Sequence, residues 1–124
     1  MTVFSENAFK KISAKTADYR MKPEDLGTLF TTRGAAGAVV FTLPITTDIQ
    51  TGWWVEVFSA AGQNCKVQTY NTLDNVTTFN DLTADSVSWE TVSELIGGSW
   101  RLVWDGTGWL TFIMAEENQT LTIA

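Results

Sequence analysis

The strongest constraint on the fold is a fifteen-residue stretch near the C-terminal end. Trp100, Leu102 and Trp104 alternate up to Asp105-Gly106-Thr107-Gly108, and Trp109, Thr111 and Ile113 alternate away from it. A two-residue period places every second side chain on one face of a strand. Asp-Gly between two such runs is a hairpin signal, and the second glycine, Gly108, is expected to supply a positive φ. A chain built around this unit belongs with the β proteins.

The rest of the sequence carries the same texture. Asp18 to Met21 alternates weakly, and Pro23-Glu24-Asp25-Leu26-Gly27 reads as a turn or a single helical turn. A strand is expected over Thr28 to Thr32. After Gly34-Ala35-Ala36-Gly37 a second is expected over Ala38 to Leu43, stopped by Pro44. Trp53, Val55 and Val57 form one apolar face of a strand that follows Gly52, with Glu56 turned away. Cys65, Val67 and Thr69 form another, and the Ala60 to Asn64 turn between the two suggests a hairpin.

Residues 71–98 are rich in Thr, Asn and Asp, and read as a long surface excursion with one or two short strands. Leu121 and Ile123 suggest a terminal edge strand. With 19 Thr and no convincing helical period, the expected fold is all-β: an antiparallel β-sandwich or jelly-roll-like barrel of seven or eight short strands. Residues 1–16 lack a long period and read as an N-terminal arm that packs on a neighbour, or a short amphipathic helix, which leaves 17–124 as a single domain. A length of 124 residues suits one core.

Composition closes off most chemistry. The chain has no histidine, hence no ordinary general base near neutral pH and no imidazole ligand. Cys65 stands alone, so neither an internal disulfide nor a cysteine-based metal cluster is expected. Its place in an apolar alternation suggests an inert thiol. A net charge of −6 opposes nucleic acid and anionic membranes as partners. With no apolar leader or long apolar run, a soluble product made in the cytoplasm is expected.

Other motifs resolve to plain readings. Gly34 to Gly37 lacks the Lys and the following helix of a phosphate cradle. Asp74, Asp81, Asp85, Glu90 and Glu94 match no calcium-loop spacing and read as a solvated loop. Asp105 is explained as a turn residue. No catalytic residue, metal ligand or cofactor is expected, and the chain is read as non-enzymatic.

The order of segments resembles a β-domain of bacteriophage virion proteins, among them head-decoration and fibre proteins. The residues that carry the resemblance are Asp25 to Phe30, Gly34 to Pro44, Gly52 to Val57, Ile96-Gly97 and Trp100 to Leu110, spread over residues 16–114. The resemblance implies a structural role in a virion. A module standing nearly alone behind a short arm points to a capsid decoration, or cement, protein on the head surface, with the major capsid protein as partner. It also implies a homo-oligomer, trimer first and dimer second. The alternative it implies is a tail-fibre or baseplate module that binds host-surface glycan.

Trp53, Trp100, Trp104 and Trp109 sit on strand faces and are expected in the core. Trp54 faces opposite to Trp53, and Trp89 falls in the long excursion. With Val3, Phe4, Phe9 and Ile12 of the arm, these two are the expected interface residues.

Overall fold

The computed structural model describes residues 9–116 and 119–124. Among them the chain forms twelve short strands and three single 3-10 turns, at Pro23–Asp25, Thr46–Asp48 and Tyr70–Thr72. The first six strands are β1 (Lys11–Ala14), β2 (Tyr19–Arg20), β3 (Thr28–Thr31), β4 (Val39–Thr42), β5 (Trp54–Phe58) and β6 (Cys65–Gln68). They are followed by β7 (Val76–Thr78), β8 (Asp81–Ala84), β9 (Ser86–Trp89), β10 (Ser99–Trp104), β11 (Trp109–Met114) and β12 (Leu121–Ile123).

The strands form a seven-stranded sheet, in the order β1-β3-β5-β10-β11-β7-β8, and a five-stranded sheet, in the order β12-β9-β6-β4-β2. Successive strands from β1 to β6 therefore alternate between the sheets. Within each sheet they lie side by side and parallel: β1 with β3, β3 with β5, β2 with β4, and β4 with β6. Parallel neighbours need a crossover connection. Here the crossover is a strand of the other sheet, so the first half of the chain winds as a coil. The second half is built differently, from the β7–β8 and β10–β11 hairpins and the antiparallel pairs β6–β9 and β9–β12.

Two expectations are corrected by this topology. The sheets are mixed rather than antiparallel. Moreover, β5 and β6 do not pair as a hairpin. β5 lies between β3 and β10, and β6 lies in the other sheet between β4 and β9. Alternation reports which face of a strand is buried, but both strands bury an apolar face in the same core, so it is silent about the ladder partner. The strands also outnumber the seven or eight expected, because the Thr-rich 71–98 stretch contains β7, β8 and β9. Within the sixteen-residue arm, Lys11–Ala14 form β1 and pair with β3. Val3 and Phe4 lie outside the described residues.

The core gathers side chains from both sheets. Phe30 of β3 meets Phe41 of β4 at 5.6 Å between ring centroids. Trp89 of β9 stacks on Trp100 of β10 at 5.4 Å and 12°. Trp53 meets Trp109 edge-on at 5.8 Å, and Trp104 lies 5.5 Å from Trp109. Val39, Val55, Val57, Cys65, Val67 and Leu102 fill the space between them. Burial pushes the Cys65 thiol up to about 12, so it stays protonated at neutral pH.

The β10–β11 hairpin forms in full register from Ser99↔Met114 to Trp104↔Trp109. Asp105 caps its loop by accepting hydrogen bonds from the backbone N–H groups of Thr107 and Gly108, both at 2.8 Å. Those bonds hold the Asp105 carboxyl below its usual range. The positive φ is supplied by Gly106, at +94°, and not by Gly108. Gly108 is needed for another reason: a Cβ there would stand 3.3 Å from both the Asn75 carbonyl and Thr77 Oγ1.

Candidate functional site

The seven-stranded sheet turns one face to the core and the other to solvent. Register places Ile12, Leu29, Glu56, Arg101 and Phe112 in one row across five adjacent strands of the solvent face. Trp54, Val103 and Leu110 form the next row, and Phe58, Ser99 and Met114 lie in the row on the other side. The face is largely apolar. Ile12, Phe112 and Met114 are 65%, 55% and 47% exposed, while Leu29, Trp54, Val103 and Leu110 are half-buried.

Glu56 sits at the centre and is only 6% exposed, although it points away from the core. Its cover comes from two long cationic side chains. Lys10 Nζ donates to Oε1 at 2.6 Å, and Arg101 donates to Oε2 through Nε at 3.1 Å and Nη2 at 2.8 Å. Burial alone raises the carboxyl's pKa, but the hydrogen bonds and charges of Lys10 and Arg101 outweigh it and leave the value lowered. The same cations flank the Trp54 ring, with Lys10 Nζ 5.4 Å and Arg101 Cζ 5.6 Å from its centroid.

Gly27 holds the edge of this ring from below. Its N–H donates to the Trp54 carbonyl at 2.8 Å, and a Cβ there would lie 3.6 Å from Trp54 Cζ2 in a backbone already at φ +75°. One anion, two cations and an indole are thus locked into a single unit amid apolar neighbours.

Of the expected interface residues, Ile12 and Trp54 belong to this face, and Phe9 is 65% exposed just ahead of β1. Trp89 does not reach the surface. It is 1% exposed in β9, stacked on Trp100, and so packed against Gly98 that a Cβ there would fall 2.3 Å from its ring. Its polar sequence neighbourhood reflects a strand whose Ser86 and Ser88 are buried, not a loop.

Sequence reasoning placed Glu56 away from the core but did not find its partners, nor Phe112, Leu110 and Met114. The signal for those three was present: both alternating sets of the 109–114 segment are apolar, which marks a strand with two faces to cover.

Among the described residues, surface clefts also lie elsewhere, three of them as follows. One is lined by Gly62, Asn64, Val92, Leu95 and Ile96, one by Leu26, Ile49, Gln50 and Trp53 beside Asp48, and one by Arg20, Lys22, Pro44 and Asp48. None of the three brings two carboxylates together, the arrangement that glycoside cleavage uses. Among the described residues no group of three or more His, Cys, Asp or Glu side chains is placed to hold a metal ion, and no helix is long and apolar enough to cross a membrane. Compared with protein-family models and with curated proteins, the chain matches none.

Proposed function

We propose that this protein is a non-enzymatic bacteriophage capsid decoration protein that binds the outer surface of the assembled head and bridges neighbouring major capsid subunits. The observation that carries the reading is the solvent face of the seven-stranded sheet. It is broad, held rigid by its ladders, rich in exposed apolar side chains, and centred on a prearranged ion cluster. Such a face suits docking to a protein surface, since the Trp54 indole and the Arg101 guanidinium are the side-chain types that dominate binding energies. The segment order that resembles virion β-domains supports the same reading.

The mechanism is mass action. A protein that binds the closed lattice and not the separated subunits adds interface that must be lost before the subunits part, so the lattice withstands more outward pressure from packaged DNA. We read the two sheets as the layers of a β-sandwich, its core lying between them, and the working form as a homo-oligomer, trimer before dimer, located on the virion. No cofactor, nucleic acid or membrane enters the mechanism.

Labelled antibody against this chain, viewed on particles by negative-stain electron microscopy, tests the reading. Label spread over the head in many copies is the expected result. Label confined to the tail tip or fibres, or none on any particle, overturns it.

A glycan-binding fibre module is the second reading, favoured by the half-buried Trp54 indole lying beside charged groups on the solvent face. Lys10 and Arg101 already flank that ring, however, and a sugar would have to displace one of them. Tryptophan fluorescence unchanged across a broad panel of cell-wall sugars counts against this reading.

A further inference from the structure

Charge is divided across the molecule. Lys10, Lys11, Lys15, Arg20, Lys22 and Arg33 are six of the eight cations and stand within residues 10–33, against the carboxylates Asp18, Glu24 and Asp25. Residues 71–98 hold Asp74, Asp81, Asp85, Glu90 and Glu94 and no cation. The fold carries these segments to opposite ends. β1 and β2 are edge strands of the two sheets on the basic side, and β8 is the edge of the seven-stranded sheet on the acidic side. At about 4.8 Å per strand, β1 and β8 lie roughly 29 Å apart.

Both edges present features that ask for cover. Lys11, Ile12 and Ala14 of β1 are exposed, as are Leu82 and Thr83 of β8, with Leu82 at 74% and the adjoining Phe79 at 80%. Exposed strand edges are pairing templates, and charge is the usual means of controlling which pairings occur. Here the control is selective. Two β1 edges repel each other through their lysines, and two β8 edges through their aspartates. Of the pairings between the two edges of this sheet, β1 against β8 joins opposite charges.

We infer that copies of this chain associate head to tail, with β1 of one copy docking along β8 of the next and extending the seven-stranded sheet across the joint. The inference rests on the assembly reading above and names the surfaces that perform it.

Strand direction agrees. Following the ladders from β1 through β3, β5, β10, β11 and β7 leaves β8 running opposite to β1. A rotation about an axis along the strands therefore brings the two edges together antiparallel. Full overlap of these four-residue strands sets Ile12 opposite Thr83 and Ser13 opposite Leu82. It also brings Asp85 beside Lys10 and Lys11, and Asp81 beside Lys15. β8 carries a bulge: Leu82 and Thr83 both lie between the Val76↔Ala84 and Thr78↔Asp81 pairs, and both are exposed while Ala84 is buried inward, so Thr83 is open to a partner carrying Ile12.

In the single chain Asp81 Oδ1 accepts from the Thr83 N–H at 2.8 Å, satisfying an edge donor internally. Docking exchanges that bond for a β1 carbonyl and frees the carboxylate for Lys15. A contact between two different patches is heterologous, and it closes into a ring when the rotation permits.

Disulfide trapping on the purified protein is the test. Ile12→Cys and Thr83→Cys are made separately, both at exposed positions, and Cys65 is buried and does not compete. Mixed under mild oxidation, the two variants should give a covalent species of twice the chain mass, and each variant alone should stay monomeric. Adding Asp81→Lys and Asp85→Lys to the Thr83→Cys chain should abolish trapping. Adding Lys11→Glu and Lys15→Glu to the Ile12→Cys chain should then restore it. No species in the mixture, or equal homodimers from each variant alone, overturns the inference. Because no capsid is present, trapping without head labelling sinks only the capsid reading, and head labelling without trapping sinks only this one.

Discussion

The two faces of the seven-stranded sheet are drawn from the same strands yet obey different rules. On the inner face Val55, Val57, Trp100 and Trp109 are fully buried and apolar, and stability comes from area removed from water. On the outer face of those strands Glu56 is almost as buried, but by the stems and charges of Lys10 and Arg101. Burial is thus reached by two routes. The inner route is indifferent to pH and intolerant of changes in volume. The outer route depends on ionisation and leaves large apolar groups such as Phe112 in water.

Substitutions separate the two routes. Trp100→Ala removes half of the stacked indole pair and leaves a cavity between the sheets. Chemical denaturation should show a loss of about 3–5 kcal/mol, and a loss under 1 kcal/mol would mean the sheets are not held together by these rings. Gly98→Ala overfills the same site by driving a Cβ into the Trp89 ring, whose rigid plane cannot fold away. A cost of about 1–3 kcal/mol is expected, with a changed near-ultraviolet circular dichroism signal from the indoles.

On the outer face, Glu56→Gln should cost less, about 1–2 kcal/mol, because the half-exposed Lys10 and Arg101 recover water when their partner loses its charge. Its pH dependence is the sharper measurement. The folded-state pKa of Glu56 lies below its ordinary 4.5. The stabilisation is therefore complete above that value and fades as pH falls through the folded value. The stability gap between wild type and Glu56→Gln should be constant from neutral pH down to about 5 and close in more acid solution. A gap independent of pH would show that shape, not charge, holds this unit.

Phe112→Ser should change the stability of the isolated chain by no more than about 0.5 kcal/mol. On the proposed decoration role, the same substitution should weaken retention on phage heads in co-sedimentation. If stability drops and retention does not, the outer face is structural rather than a docking surface.

Legibility in the sequence followed the range of the interaction. The β10–β11 hairpin could be read because both strands and their turn lie within sixteen residues, and Asp105 organises the loop through its own neighbours. The terminal strand, the segments at Thr28 to Thr31 and Val39 to Thr42, and the core tryptophans Trp53, Trp100, Trp104 and Trp109 were readable from alternation. Trp89 was not, because its neighbours Ser86, Ser88 and Glu90 disguise a fully buried strand as a polar loop. Ser88 hides this way by donating to Glu90 Oε2 at 2.7 Å, so its hydroxyl has a partner. For the candidate site, Trp54 and Ile12 were singled out, but the cluster around Glu56 was not, since Lys10, Glu56 and Arg101 meet across 45 or more residues of chain.

By itself the sequence determined that the chain is β-rich, where the strands outside residues 1–16 and 71–98 lie, and which face of the strongly alternating ones points inward. These properties rest on neighbours along the chain: a period of two, a proline, a glycine, an aspartate in a turn. Tertiary structure alone decided that β1 to β6 wind as a parallel coil, that β5 and β6 part into different sheets, and that the lysines and aspartates gather at opposite edges. Such choices depend on which distant strand lies alongside, and alternation, being identical for every partner that shares the core, carries no record of it.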